Sequence, residues 1–192
     1  MTAALELLQI AIEEDHPLVA IGDPVPPFEG LLGTDGLRHS LRDYSGAEAL
    51  VVIFSSNRCP TAKAYASRLR ALQADYAPRG VQILLLNSNA PHLYPDEAFE
   101  KMVERAAEDG YTFPYLVDAG QQVARAWGPT CTFHAFLLDR ERRLAYEGRV
   151  DNARLEDRAT RHDLRDALED VLAGRPVAVP QTRAFGCSLD IV

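Results

Sequence analysis

A chain of 192 residues, 47% hydrophobic and 25% charged, has enough apolar material for one compact domain and too much of it for disorder. Its net charge of -8 repels phosphate backbones, and the one basic cluster, Arg140, Arg142 and Arg143 around Glu141, reads as a solvated hairpin turn, so no nucleic acid partner is expected. No stretch reaches the roughly 20 apolar residues that cross a bilayer, and Met1 to Asp15 lacks the charged start of a signal peptide; the expected location is cytoplasmic, with no membrane partner.

Leu5, Leu8, Ala11 and Ile12 share one helical face and predict a short amphipathic helix, a surface for the domain or for a homodimer. His16 to Pro27 is a Pro/Gly connector, and Phe28 to Leu32 with Leu37 to Leu41 predicts a hairpin turning at Thr34-Asp35-Gly36. Ala49 to Ser55 is a nearly continuous apolar, β-branched run, as in a strand covered on both faces. A helix follows from Pro60, with Ala62, Tyr65, Ala66, Leu69, Leu72 and Tyr76 as its apolar stripe.

Val81 to Asn87 is a second buried strand. Asp96 to Asp109 predicts a helix with Phe99, Met102, Val103 and Ala106 inward. A short strand at Tyr115 to Val117 and a short helix at Gln121 to Trp127 come next. Ala135 to Asp139 and Leu144 to Val150 predict a hairpin, and Leu164, Ala167, Leu168, Val171 and Leu172 a last helix, with Thr160 as its cap. The chain divides into a helix and connector (1–20), a domain (21–174) and an extended tail (175–192). Early strands joined by helices imply parallel crossovers, and the late hairpin adds antiparallel strands. The fold class is α/β, a central mixed sheet flanked by helices in the thioredoxin-like order.

Cys59 stands where the first buried strand ends and a helix opens at Pro60, a residue favoured at the first helical position. Unpaired N–H groups and the positive end of the helix dipole favour an anion there, and a thiolate is one. Such positions, and neighbouring cations, lower a cysteine pKa below its free value of about 8.5. Arg58 is adjacent and Lys63 lies one turn along. Ser56, in the same turn, is placed to offer its hydroxyl to a thiolate or a bound peroxide, or else to cap the helix.

IGDPVPPFEG, VVIFSSNRCPTAKAY, FLLDRERRLAYEGRVDN and the tail TRHDLRDALEDVLAGRPVAVPQTRAFGCSLDI resemble the AhpC/TSA-type, peroxiredoxin-like thioredoxin family, closest to a bacterial redoxin subgroup. The resemblance implies a thiol-dependent antioxidant oxidoreductase with Cys59 as the redox-active thiol. Its partners would be a small-molecule peroxide or a protein or low-molecular-weight thiol or disulfide. The chain departs from the family at several places. Ser56 and Ala62 stand where the second cysteine of a Cys-x-x-Cys pair would be, in either register. Val52 replaces the usual peroxiredoxin proline. Phe133, after Thr132, stands at the cis-proline position that faces the active cysteine; a cis bond before a non-proline costs about 2.5–4 kcal/mol, so a trans peptide is expected.

Two further cysteines remain, Cys131 and Cys187. The resemblance puts Cys131 beside the residue facing Cys59, which makes it the first candidate for a nearby thiol, provided the Cα atoms lie within roughly 4.4–6.8 Å. Cys187 in the tail is the other candidate for resolving a sulfenic acid or mixed disulfide on Cys59. Each is otherwise a packed, inert thiol. The five histidines show no metal-ligand spacing, and no cofactor or metal is expected. Two alternatives stand beside the oxidoreductase: a non-catalytic binding or redox-sensing module, motivated by the missing Cys-x-x-Cys, and a Sco-like metal carrier using Cys59, Cys131 and His134.

Overall fold

The computed structural model of the chain describes residues 18–191. The amphipathic helix expected at Leu5 to Ile12 lies outside the described residues. The elements are β1 (Leu31–Gly33), β2 (Arg38–His39), β3 (Ala49–Ser55), α1 (Pro60–Tyr76), β4 (Val81–Asn87), α2 (Phe99–Glu108), β5 (Tyr115–Val117), α3 (Gln122–Trp127), β6 (Ala135–Leu138), β7 (Leu144–Gly148) and α4 (Asp163–Leu172). They build one seven-stranded sheet in the order β2-β1-β5-β4-β3-β6-β7. β3, β4 and β5 run parallel, and β1 and β6 join them antiparallel on either side.

The central strand explains why the sheet has two cores. Every residue of β3 is buried, and successive side chains point to opposite faces. Ala49, Val51 and Ile53 pack with Tyr65 and Leu69 of α1 and Leu164 and Leu168 of α4. Leu50, Val52 and Phe54 pack with Trp127 of α3 and with Val19 and Phe28 of the entering segment. At about 1.5–3 kcal/mol for each large side chain buried, the two layers fix this strand and therefore its end. α1 buries Ala62, Tyr65, Ala66, Leu69, Leu72 and Tyr76, the stripe read from its sequence.

Four local expectations change. The segment before α2 forms a 3-10 turn at Pro95–Glu97, so the α-helix starts only at Phe99. Val103 is 40% exposed, while Arg105 is buried and ion-paired with Asp109. Tyr111, raised by burial and by Asp109, lies beside that pair. α4 starts at Asp163 with His162 before it; Thr160 instead exchanges two 2.9 Å hydrogen bonds with the Asn152 side chain, and the Asp163 carboxylate accepts Arg149 at 2.7 Å. In the β6–β7 turn Arg142 is not solvated: it adopts φ 61 and donates to the carbonyls of Tyr44 and Ala47.

The tail after α4 is extended, as its composition suggests, and it follows a defined path. It first lies along β7, where Glu147 N–H donates to the Pro180 carbonyl and Thr182 N–H to the Glu147 carbonyl, each at 3.0 Å. It then crosses the carboxyl ends of the central strands. Thr132 N–H donates to the Cys187 carbonyl at 2.8 Å, and the Asp190 carbonyl accepts Gln121 Nε2 at 2.7 Å. Leu189 and Ile191 finally pack on the Trp127 core.

Candidate active site

β3 delivers the chain to the carboxyl edge of the sheet, and Ser56-Asn57-Arg58 turns it into α1. Cys59 is the N-cap of that helix, in extended conformation (φ -71, ψ 118), with Pro60 next. The turn is built on Glu97, which is 3% exposed. Its carboxylate accepts Ser56 Oγ at 2.5 Å, Asn57 N–H at 2.9 Å and Asn87 Nδ2 at 2.9 Å, with Arg58 N–H at 3.3 Å. Four donors on one carboxylate satisfy a charge that would otherwise be costly to bury.

Glu97 decides where Ser56 points. The hydroxyl is committed to that carboxylate and accepts Arg58 N–H at 3.2 Å, so it supports the turn and does not hydrogen-bond the Cys59 sulfur. Arg58 lies flat on Tyr94, its guanidinium carbon 3.7 Å from the ring centroid. Nothing in the sequence around Pro95-Asp96-Glu97 marks the glutamate as buried; acidic residues before a helix are ordinarily solvated.

The Cys59 side chain is 1% exposed and faces a loop and the tail. Thr132 Oγ1 lies 3.1 Å from its sulfur. The same oxygen accepts Cys187 N–H at 2.7 Å. Thr132 therefore makes two hydrogen bonds with Cys187, its N–H donating to the Cys187 carbonyl and its hydroxyl oxygen accepting the Cys187 N–H, and seats Cys187 against Cys59. The two thiols lie close enough to shift each other's ionisation in opposite directions. Gly186 is required for this approach: a Cβ there would meet the Thr132 carbonyl oxygen at 1.9 Å.

The electrostatics follow from the contacts. Burial pushes the Cys59 thiol up, but hydrogen bonds from the Thr132 hydroxyl and the Cys187 thiol, and from the Ala62 and Cys187 N–H groups, hold it down at about 7. The Ala62 N–H is one of the free donors of the helix start. Cys187 moves the other way, pushed up to about 11 by burial and by the hydrogen bond and charge of Cys59. One thiol of the pair is set to ionise and the other to keep its proton.

The Thr132–Phe133 peptide is trans, and Phe133 takes φ 65. A left-handed conformation costs a bulky residue about 1–2 kcal/mol. It is held by Phe133 N–H on the Phe54 carbonyl at 2.6 Å and by the ring packing 4.8 Å from that of Tyr65. The loop therefore sits firmly on the end of β3, which aims Thr132 at Cys59.

Cys131 is half-buried beside Thr130, whose Oγ1 stands 4.0 Å from its sulfur. It opens on a cleft of about 650 Å³ shared with Arg149, Arg183 and Phe185. Burial raises its thiol, and Cys59 adds to this as a charge; among the described residues no hydrogen bond joins the two. His134 turns its Nδ1 to the Thr130 N–H at 3.1 Å and its Nε2 towards Glu147 at 3.7 Å. Neither nitrogen is directed at Cys59, and among the described residues no group of three His, Cys, Asp or Glu side chains is arranged to hold a metal.

Comparison with known proteins places this geometry. The family described as Redoxin matches residues 20–168. A relative named thiol-disulfide oxidoreductase ResA, from Geobacillus thermodenitrificans, is 29% identical over 153 residues, 80% of this chain and 79% of its own. A hypothetical protein of known structure from Sinorhizobium meliloti 1021 is 37% identical, with a TM-score of 0.84 over 91% of this chain and 96% of that one. A putative thiol:disulfide interchange protein DsbE from Chlorobium tepidum, at 21% identity and a TM-score of 0.63, covers 81% of this chain and 97% of its own; it shares the thioredoxin-like fold.

Proposed function

The chain belongs to the Redoxin family, and from that premise we propose that it is a thiol-dependent oxidoreductase whose nucleophile is Cys59, acting on a disulfide. The observation that carries the reading is the Cys59 sulfur at the start of α1, 3.1 Å from the Thr132 hydroxyl and held down at about 7. The thiolate, not the thiol, is the nucleophile, and a pKa near ambient pH combines thiolate supply with nucleophilicity.

The surroundings favour a disulfide substrate over a peroxide. Breaking an O–O bond places charge on the departing oxygen, which calls for donors aimed at it. The contacts around Cys59 hold its own sulfur, and the guanidinium of the adjacent residue, Arg58, is stacked on Tyr94. Exchange with a disulfide needs only in-line access to sulfur and a thiolate leaving group. The ResA relative is named for that reaction. One observation favours the second reading, reduction of a small peroxide: Cys59 is 1% exposed, and a small oxidant reaches it more easily than a protein disulfide does. In a reducing compartment such as the cytoplasm the thiols are kept available for either reaction.

The test is the rate of Cys59 alkylation against pH, followed by turnover of a disulfide and of hydrogen peroxide with a thiol reductant. The expected result is an alkylation midpoint near 7, absent in Cys59→Ser, with disulfide turnover lost in the same variant. A midpoint at the ordinary cysteine value with no turnover would establish a non-catalytic module instead.

A further inference from the structure

The catalytic pair of a Cys-x-x-Cys site is made by two neighbours on one helix. Here position 62 is alanine, buried in the core against α1's own stripe, and it contributes only its N–H to the Cys59 sulfur. A second cysteine nevertheless stands at the same sulfur. It comes from the far end of the chain, carried there by the tail.

We propose that Cys187 is the second redox cysteine of this site: the C-terminal tail is a tethered cysteine peptide, docked on Thr132, whose thiol forms a disulfide with Cys59. The proposal rests on Cys59 being the redox-active thiol. Four features of the structure carry it. The tail is anchored on both sides of the cysteine, at Glu147 by Pro180 and Thr182 and at Gln121 by the Asp190 carbonyl. Cys187 itself exchanges two hydrogen bonds with Thr132, at 2.8 Å and 2.7 Å. The Thr132 hydroxyl that takes the Cys187 N–H stands 3.1 Å from the Cys59 sulfur, so the tail cysteine and the reactive sulfur share one oxygen. Gly186 leaves the space in which the Thr132 carbonyl sits. Cys131 has none of these: its sulfur faces Thr130 and the cleft.

The chemistry balances without a further reactant. The Cys59 thiolate attacks one sulfur of a substrate disulfide; the S–S bond breaks, a Cys59 mixed disulfide forms, and the other substrate sulfur leaves as a thiolate. That thiolate takes the proton of Cys187. The Cys187 thiolate then attacks the Cys59 sulfur, and the second substrate sulfur leaves and is protonated by solvent. The substrate is reduced to two thiols, and the protein is left with one Cys59–Cys187 disulfide. Cys187 occupies the face a substrate cysteine needs, so the tail must lift for the first step and return for the second. A tethered thiol returns at high effective concentration, independent of protein dilution.

Dithiobis(nitrobenzoate) separates the two steps, using the full chain carrying Cys131→Ser. Attack by Cys59 releases one thionitrobenzoate and leaves the other on Cys59; attack by Cys187 then releases the second. The expected result is two equivalents released per chain, the second at a rate independent of reagent concentration, with a Cys59–Cys187 linked peptide found by mass spectrometry. Adding Cys187→Ser is expected to stop release after one equivalent, with the label retained on Cys59. Adding Gly186→Ala, whose Cβ would meet the Thr132 carbonyl, is expected to slow the second release about tenfold or more relative to the first. Label retained on Cys59 while Cys187 is present would overturn the inference and leave the proposed function intact, as would a Cys59–Cys131 link in the unmodified chain. Failure of the first release would overturn both.

Discussion

Thr132 joins the loop, the tail and the reactive sulfur through a single hydroxyl. With Cys59 ionised, that hydroxyl donates to the thiolate, and a hydrogen bond to a charged group is worth about 1.5–3 kcal/mol. Thr132→Val keeps the shape and removes the donor. The Cys59 midpoint is then expected to rise from about 7 towards the ordinary thiol value, with alkylation at neutral pH falling roughly tenfold; Thr132→Ser should restore it. The sign follows from which form is stabilised: the bond favours the thiolate, so its loss moves ionisation to higher pH. Glu97 acts one layer further back, through the turn it holds. Glu97→Ala leaves buried donors without acceptors and is expected to cost about 3 kcal/mol in urea unfolding. Glu97→Gln, which keeps one oxygen, should cost less. Both should slow Cys59 alkylation, because the residue positions the cysteine without touching it.

Among the elements, β7 and the tail are joined most tightly at one glycine. Gly148 has φ 142, and a Cβ there would meet Thr182 Oγ1 at 2.2 Å and its carbonyl oxygen at 2.4 Å. Thr182 Oγ1 in turn accepts Arg149 N–H at 3.1 Å and sits 2.6 Å from the Tyr146 hydroxyl. Gly148→Ala therefore strains the backbone and pushes the tail off together. The expected loss is about 2–3 kcal/mol, accompanied by faster amide exchange at Thr182 and Cys187 than at the buried β3 amides. A substitution that only loosened the core would raise exchange across the sheet.

For the whole molecule, acid is the condition that tests the fold. His134 is 5% exposed, with its ring 4.5 Å from that of Phe136, and burial lowers its pKa from 6.5 to about 4. Glu147 at 3.7 Å from Nε2 is beyond hydrogen-bond reach, so burial dominates and the ring is neutral. The unfolded chain then binds more protons between these two values. The stability is fully present above 6.5 and is lost as pH falls towards 4, by up to about 3 kcal/mol. Urea unfolding at a series of pH values should show this loss, and His134→Asn, which keeps an acceptor for the Thr130 N–H without titrating, should flatten it.

What the sequence revealed and what it hid divide along the same scales. The β3 run and the α1 stripe are local patterns, so the strand end, the helix start and Cys59 between them were legible from neighbouring residues. Cys187 lies at the Cys59 sulfur only because the tail returns along β7, a path that depends on single hydrogen bonds with no periodicity to announce them. Ser56 was readable as a polar residue in the turn, but its direction was set by Glu97, distant in sequence. At α2 the amphipathic period favoured Val103 as an inward residue, and the ion pair with Asp109 brought Arg105 inward instead.

The tail's path along β7 has one more effect. β7 is the last strand of the sheet, with β6 on one side and the tail backbone at Pro180–Thr182 on the other. An unpaired strand edge is a template for pairing with another chain. Lifting the tail bares part of that edge in the same movement that opens Cys59. A chain whose tail is held down through Cys187 should therefore stay dispersed, whereas the Gly148→Ala chain should self-associate as its concentration rises. Light scattering of the two preparations at equal concentration would measure the difference.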